Sequence, residues 1–355
     1  MAHIAVLGAT GFVGTALTLR LLDLGHTVTA LSRAPEKWAL QHNNLKVLRG
    51  DIATTLHLEE VLKGADCAYY LVHGLAEEEE DFEFFEAKGA TQFAQAAQKA
   101  KLRKVIYLGG LGPDEDLSAH LRSRHLVGEI LGLIPGASIE FRASIVLGPL
   151  STSFEMLKAL SQRLPVRPFA PWLETPCQPI ALDDLLAYLL AALDVQVIGH
   201  TVVEIGAPEV IPYGELLDLV YKIEEVSRPK FLLPAMDQRL MLPLIDLVLP
   251  EFANVGKKLF LSLSHPTVVT DTKAEELFPD IKPRSLEVAM REALLQSETA
   301  YPAVWEGDFW KEVAEHTKLQ TRQGQNQLLE KIKIFTAPYQ EKIMNRLPRR
   351  KKNET

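Results

Sequence analysis

The sequence predicts an α/β fold, a doubly wound parallel sheet followed by a smaller, mostly helical C-terminal region. Three observations carry that reading. The apolar strand Ile4-Ala5-Val6-Leu7 runs into glycines at Gly8, Gly11 and Gly14, and then into a helical pattern through Leu17, Leu21 and Leu22. Strand and helix patterns alternate from there to about residue 150, as parallel sheets require. Beyond Ser151 the alternation breaks up and prolines accumulate at Pro165, Pro168, Pro171, Pro176 and Pro179.

Each element follows from its own pattern. A second apolar strand is expected at Thr27–Leu31, with further strands at Lys46–Leu48, Cys67–Val72, Lys104–Leu108 and Ser138–Arg142. Helices are expected between them at Leu56–Lys63, Phe82–Ala100 and Ala119–Leu133. A helix beginning near Asp183, with Asp183 or Asp184 as its cap, and a strand at Thr201–Ile205 return to the same sheet. The resulting division is residues 1–150 as the core, with Asp183–Ile205 added to it, 151–300 as an irregular and helical lid, and 301–355 as a polar tail ending in Arg349-Arg350-Lys351-Lys352. The proline-rich segment is expected over the carboxyl ends of the strands, where open α/β sheets bind their ligands. Phe231–Leu263 is very apolar and interrupted by Pro234, Pro243 and Pro250. It reads either as short helices capping the core or as a surface for a membrane or partner. The tail reads as a solvated segment or as an electrostatic attachment to an anionic surface.

Composition narrows the function. A net charge of -8 argues against a nucleic-acid-binding body. The two cysteines, Cys67 and Cys177, are far apart and without metal-ligand spacing, so packing in a reduced, cytoplasmic protein is expected. No basic, apolar leader opens the sequence. No apolar run reaches the ~18 residues of a membrane span, which leaves peripheral membrane contact as the only membrane association expected.

The opening motif points to a nucleotide. Glycines at G-x-x-G-x-x-G spacing between a strand and a helix let the backbone turn sharply and approach a pyrophosphate, whose charge then rests on the N–H groups of the helix start. The expected contacts come from Gly8, Thr10, Gly11, Phe12, Val13 and Gly14. The dinucleotide fold of this Rossmann type usually ends its second strand in an acidic residue that binds the ribose hydroxyls. Here that place holds Ser32-Arg33. A guanidinium pairs with a 2′-phosphate that a carboxylate would repel, so NADP(H) is expected over NAD(H). Asp51 and Ile52 are placed for the adenine edge, or Asp51 caps a helix. Leu71, Val72 and His73 end the fourth strand near the expected nicotinamide ribose, where His73 either lines the cofactor pocket or packs.

With these residues in hand, the chain resembles an extended or atypical short-chain dehydrogenase/reductase, and more narrowly the NmrA-like or nucleoside-diphosphate-sugar-epimerase-like NAD(P)-binding proteins. Val6–Gly14, Leu45–Ile52, Tyr69–Gly74, Val105–Gly112, Ser123–Leu131, Phe141–Pro149, Thr175–Leu193 and Val268–Pro279 carry the resemblance. It implies a catalytic Ser or Thr, a Tyr, and a Lys close beyond that Tyr. The chain departs from that set. Gly109-Gly110 stands where the hydroxyl is expected, and the Tyr and Lys places fall on His120 and Arg124.

The other chemistry-bearing residues have two readings each. Tyr107 belongs to the core by its apolar strand. Arg142 either faces the nicotinamide loop or forms a buried ion pair. Glu77–Asp81 reads as the charged entry to a helix. Two functions fit: an NADP(H)-binding sensor or regulatory partner without the usual chemistry, and an NADPH-dependent reductase or isomerase of a small apolar carbonyl compound using an acid such as His120.

Overall fold

The computed structural model describes residues 1–52, 57–74, 82–113, 115, 117–233 and 238–299. The acidic run Glu77–Asp81, the 301–355 segment and its Arg349–Lys352 cluster lie outside the described residues. The chain divides into two units, one formed by Met1–Glu155, Pro176–Ile211 and the described residues from His265 onward, the other by Met156–Thr175 and Pro212–Ser264.

The first unit is built on seven strands: β1 (His3–Leu7), β2 (Thr27–Ser32), β3 (Leu45–Arg49), β4 (Cys67–Tyr70), β5 (Lys104–Gly110), β6 (Ala137–Ala143) and β7 (His200–Ile205). Their order across the sheet is β7-β6-β5-β4-β1-β2-β3 and every pair is parallel. The order reverses between β1 and β4, so the carboxyl ends of those two strands open a crevice at the switch point. Its helices are α1 (Phe12–Asp23), α2 (Leu58–Leu62), α3 (Phe82–Ala100), α4 (Ala119–Gly132), the start of α5 (Thr152–Arg163), and α6 (Leu182–Ala191).

Strand alternation sorts the core onto two faces. Ile4, Val6, Tyr69 and Ile106 point toward Leu17, Leu21, Leu185 and Leu189 of α1 and α6. Ala5, Leu7, Tyr70 and Tyr107 point toward Val61, Phe93, Ala97, Val127 and Leu131 of α2, α3 and α4. Burying both faces demands the near-continuous apolar strands seen in the sequence. Tyr69 donates its hydroxyl to Leu189 O at 2.7 Å and Tyr107 donates to Arg124 O at 2.9 Å, so both buried phenols are satisfied. Tyr107 is core, as its strand suggested. At the head of β5 the buried Lys104 ammonium donates to the carbonyls of Ala192, Leu193 and Val195 at 3.0, 2.7 and 2.7 Å, closing the carboxyl end of α6 with a cation.

Two local expectations need correction. Neither Asp183 nor Asp184 caps α6; Ala181 holds the cap position and both acids stand in the first turn. There Asp184 accepts from the Arg284 N–H at 2.8 Å, and Asp183 faces the Arg20 and Arg284 guanidiniums. The fourth strand stops at Tyr70 rather than Val72. Leu71 N still reaches Leu7 O at 2.9 Å, but Gly8 then turns away with φ +83 and leaves Val72 no strand to pair with.

The second unit packs α7 (Leu242–Val248) and α8 (Ala253–Ser262) with Met156, Ala159, Leu164 and Phe252 in a core of its own. The buried Arg163 guanidinium pairs with Glu251 and donates to Val248 O at 2.8 Å. Arg167 grips both carboxylate oxygens of Asp218 at 2.8 and 2.7 Å. The apolar stretch Phe231–Leu263 thus folds largely as short helices, and Leu232, Leu240 and Leu247 remain exposed.

Candidate functional site

The glycine turn is built by close approach. A Cβ on Gly8 would lie 2.6 Å from Leu71 O, and one on Gly14 would lie 2.1 Å from Gly8 O. Gly8 also needs its positive φ, which side chains resist. The turn closes through Gly11 N–H to Gly8 O at 3.0 Å, and the Thr15 hydroxyl ties it to Ala9 O at 3.0 Å. Gly11 caps α1 without a side-chain bond, and the first turn of α1 carries no acid. Its N–H groups and dipole therefore lie at the switch-point crevice with no acid in that first turn, a fit for a pyrophosphate. Thr10, Phe12 and Val13 sit in the same turn or the start of α1.

At the ends of β2 and β3, buried Ser32 accepts from Ala34 N at 3.2 Å, and Gly50 N donates to Ser32 O at 2.9 Å. Arg33 is exposed just beyond, its carbonyl held by Arg49 Nη1 at 3.1 Å. Asp51 and Ile52 are half-buried after β3. Ile52 Cγ2 lies 3.2 Å from where a Cβ on Gly89 would stand, so that glycine lets α3 close against this end of the sheet.

The most polar part of the site lies beyond β4. His73 Nδ1 is 3.0 Å from Glu86 Oε1, which also accepts from Gly74 N at 2.7 Å. The other Glu86 oxygen accepts from the Ser123 hydroxyl. His73 Nε2 faces His120 Nε2 at 3.2 Å, with the rings stacked 5.1 Å apart and 14° from parallel. Burial alone would raise the Glu86 carboxyl, but the His73 bond, the Arg124 charge and the Ser123 bond outweigh it and hold the group well below its usual range. Glu86 is therefore an anion.

Arg124 is buried and turned inward. It donates Nη1 to Val72 O at 3.1 Å and Nη2 to Leu108 O, and its guanidinium lies 4.9 Å over the Tyr107 ring. It clamps the ends of β4 and β5 together. Arg142 forms a buried ion pair with Glu140 at 2.7 Å, which settles its two readings toward the structural one. Cys67 and Cys177 are free and buried, and burial pushes each thiol up to about 12, so neither is a thiolate nucleophile.

His73, His120 and Arg124 thus come together with Leu71, Val72 and the Gly8–Gly14 turn, whereas Ser32, Arg33, Asp51 and Ile52 stand at the adjoining strand ends. Sequence reasoning missed Glu86 and Ser123. One signal was available for Glu86: it shares the buried stripe of α3 with Phe82, Gly89, Ala90 and Phe93, and a lone acid on an apolar stripe needs partners.

Residues 8–131 match the family described as NAD(P)H-binding. Residues 8–131 thus match an NAD(P)H-binding domain, and the chain shares its fold with solved nucleotide-sugar epimerases. Of curated proteins, the bifunctional dihydroflavonol 4-reductase/flavanone 4-reductase of Malus domestica is 28% identical over 123 residues, 31% of this chain and 35% of that protein. The 2-alkyl-3-oxoalkanoate reductase of Shewanella oneidensis is 25% identical over 109 residues, 30% of this chain and 28% of that protein. The chain matches about a third of the length of these relatives. Among solved structures, the UDP-glucuronic acid 4-epimerase of Bacillus cereus, in complex with UDP-glucuronic acid and NAD, superposes with a TM-score of 0.62 at 18% identity, covering 84% of this chain and all of that one. The NAD(P)H-binding domain ends at the last helical turns of α4, so the Glu86–His73–His120 cluster lies wholly inside it.

Proposed function

We propose that the protein binds NADP(H) in preference to NAD(H) and uses it to reduce or isomerise a small apolar carbonyl compound in the cytoplasm. The observation that carries the enzymatic part is the His73–His120 pair, anchored on the Glu86 anion, with His120 at the place where the Tyr would be expected. The two curated relatives, both reductases, support the same class. Arg33 supports the preference for the 2′-phosphate, because no acid occupies the end of β2.

When bound, the dinucleotide supplies or takes a hydride. The residues do the rest: the N–H groups of the Gly8–Gly14 turn hold the pyrophosphate, Arg33 pairs with the 2′-phosphate, and Asp51 and Ile52 border the adenine. The regulatory reading, in which the protein senses occupancy without chemistry, draws support from Gly109-Gly110, which offer no hydroxyl to a carbonyl oxygen.

Paired titrations of NADPH and NADH, followed by nicotinamide fluorescence, test the cofactor assignment. A panel of apolar ketones and aldehydes, followed by loss of NADPH absorbance, tests the reaction. Tight NADPH with weak NADH and turnover on the panel is the expected result. Binding of neither dinucleotide would overturn the proposal, and binding with no turnover across the panel would leave the sensor reading in its place.

A further inference from the structure

We propose that Arg49 is a second residue that sets the dinucleotide preference: it holds the Arg33–Glu36 turn by both ends and so fixes the place from which Arg33 meets a 2′-phosphate. The inference rests on the NADP(H) reading above and adds a positioning residue to it, through a contact that spans 16 residues of chain.

Sheet register brings the two arginines to one corner. β2 and β3 run parallel, and their last paired residues are Ser32 and Arg49. Arg33 follows Ser32 at the exit of β2, so Arg49 stands beside it at the exit of β3. The Arg49 fork then divides between the two ends of one turn. Nη1 donates to the Arg33 carbonyl at 3.1 Å, and Nη2 donates to the Glu36 carboxylate. A planar guanidinium carries both bonds on one rigid group, which the single ammonium of a lysine does not.

The rest of the turn is fixed from within. Gly50 N donates to Ser32 O at 2.9 Å, and Ala34 N donates to Ser32 Oγ at 3.2 Å. Pro35 opens the short helical turn Pro35–Lys37, which Trp38 N closes on Pro35 O at 3.2 Å. Trp38 itself is buried in the same core as Leu17 and Leu21. Arg49 adds the tie on the carbonyl of Arg33. Arg33 is exposed, so where its guanidinium can reach depends on where that peptide points. A turn ordered before the ligand arrives loses no freedom when the ligand binds.

The clasp has small leverage on folding and direct leverage on recognition. The side chains of Arg49 and Glu36 are 62% and 56% exposed, and pairs placed so contribute little to stability. NADH carries no 2′-phosphate, so its binding makes no use of the position of the Arg33 guanidinium. Loss of the clasp therefore acts on NADPH and spares NADH, which a general loosening of the fold would not do.

The test uses the full chain and two variants. Arg49→Met removes the fork and its charge, whereas Arg49→Lys keeps the charge and loses the fork. NADPH and NADH are titrated into each protein by nicotinamide fluorescence. Arg49→Met is expected to weaken NADPH about tenfold and Arg49→Lys about threefold or more, with NADH within about twofold of the parent in both. Thermal midpoints should stay within about 3 °C of the parent. Without any cofactor, amide hydrogen exchange over residues 32–38 should quicken about threefold or more in both variants. Unchanged exchange in Arg49→Met would overturn the clasp. Equal losses of NADPH and NADH affinity, or an unchanged ratio between them, would overturn its role in preference. Arg49→Lys binding NADPH as the parent does would also overturn it, because charge and not the fork would then set the preference. The parent titrations judge the cofactor reading separately. A parent that prefers NADPH while its variants keep that preference sinks this inference alone, and a parent that binds NADPH no tighter than NADH overturns the reading and this inference with it.

Discussion

Glu86 offers the sharpest separation of charge from packing in this site. Its two oxygens accept three bonds, from His73 Nδ1 at 3.0 Å, Gly74 N at 2.7 Å and the Ser123 hydroxyl. Glu86→Gln keeps the shape, and the Ser123 hydroxyl can turn to accept from the new amide. What is lost is charge. Bonds to an ionised group contribute about 1.5–3 kcal/mol each and neutral ones about 0.5–1.5, so three bonds weakened by about 1 kcal/mol apiece predict a loss of about 2–3 kcal/mol. Glu86→Ala removes the acceptors as well and strands buried donors beside Arg124, for about 3–5 kcal/mol. The pH dependence follows in sign. The folded carboxyl is held below its ordinary value of 4.5, so the unfolded chain binds its proton first as pH falls. The stabilisation is complete above that value and declines below it toward the folded value. Urea unfolding of the three proteins at neutral and acidic pH measures both effects. Equal stability of the Gln and parent proteins at neutral pH, or an acid-induced loss as large in the Gln variant as in the parent, would refute the claim that an anion holds this loop.

Three further outcomes are expected. Gly14→Ala forces a Cβ to within 2.1 Å of Gly8 O, so the turn must open; fluorescence titration should show NADPH affinity falling more than about tenfold, about 1.4 kcal/mol, and an unchanged affinity would refute the cradle. Arg33→Asp should weaken NADPH by about 1–3 kcal/mol and leave NADH the same or tighter, since the lost pair is charge-assisted; equal NADPH binding by variant and parent would remove the case for the 2′-phosphate. Lys104→Met leaves three carbonyls at the end of α6 without their buried donor, and denaturant unfolding should show a loss of about 2–4 kcal/mol; a change under about 0.5 kcal/mol would mean that water replaces the ammonium freely.

How much of this was legible in the sequence depends on how far apart the interacting residues lie. The strand and helix cores were legible because each carries its own pattern: Phe82–Ala100 is a helix over the expected residues, and the sheet strands coincide with the apolar runs. The end of β4 was not, because Val72 loses its partner through a turn at Gly8, more than sixty residues earlier. The caps of α6 were not either, since Asp183 and Asp184 bond to Arg284, a residue far along the chain. The site follows the same rule. The glycine turn is local and was read directly. His73 and His120 were each visible, but their contact spans 47 residues and Ser123–Glu86 spans 37. No periodicity within one helix reports that α3 and α4 present these groups to the same loop.

The glycines at the end of β5 make the departure from a Ser–Tyr–Lys site a coherent one. A Cβ on Gly110 would lie 2.8 Å from Leu121 Cδ2 and 3.7 Å from Arg124 Cβ, and one on Gly109 would lie 3.0 Å from the buried Glu140 carboxylate. Without those Cβ atoms, α4 settles close on β5, and that closeness lets Arg124 reach both Leu108 O and Val72 O. The same approach puts His120, one turn earlier on α4, beside His73. A side chain placed at Gly110 would therefore push against Leu121 and the stem of Arg124. The glycines of β5 and the meeting of His120 with His73 are thus two consequences of one packing arrangement.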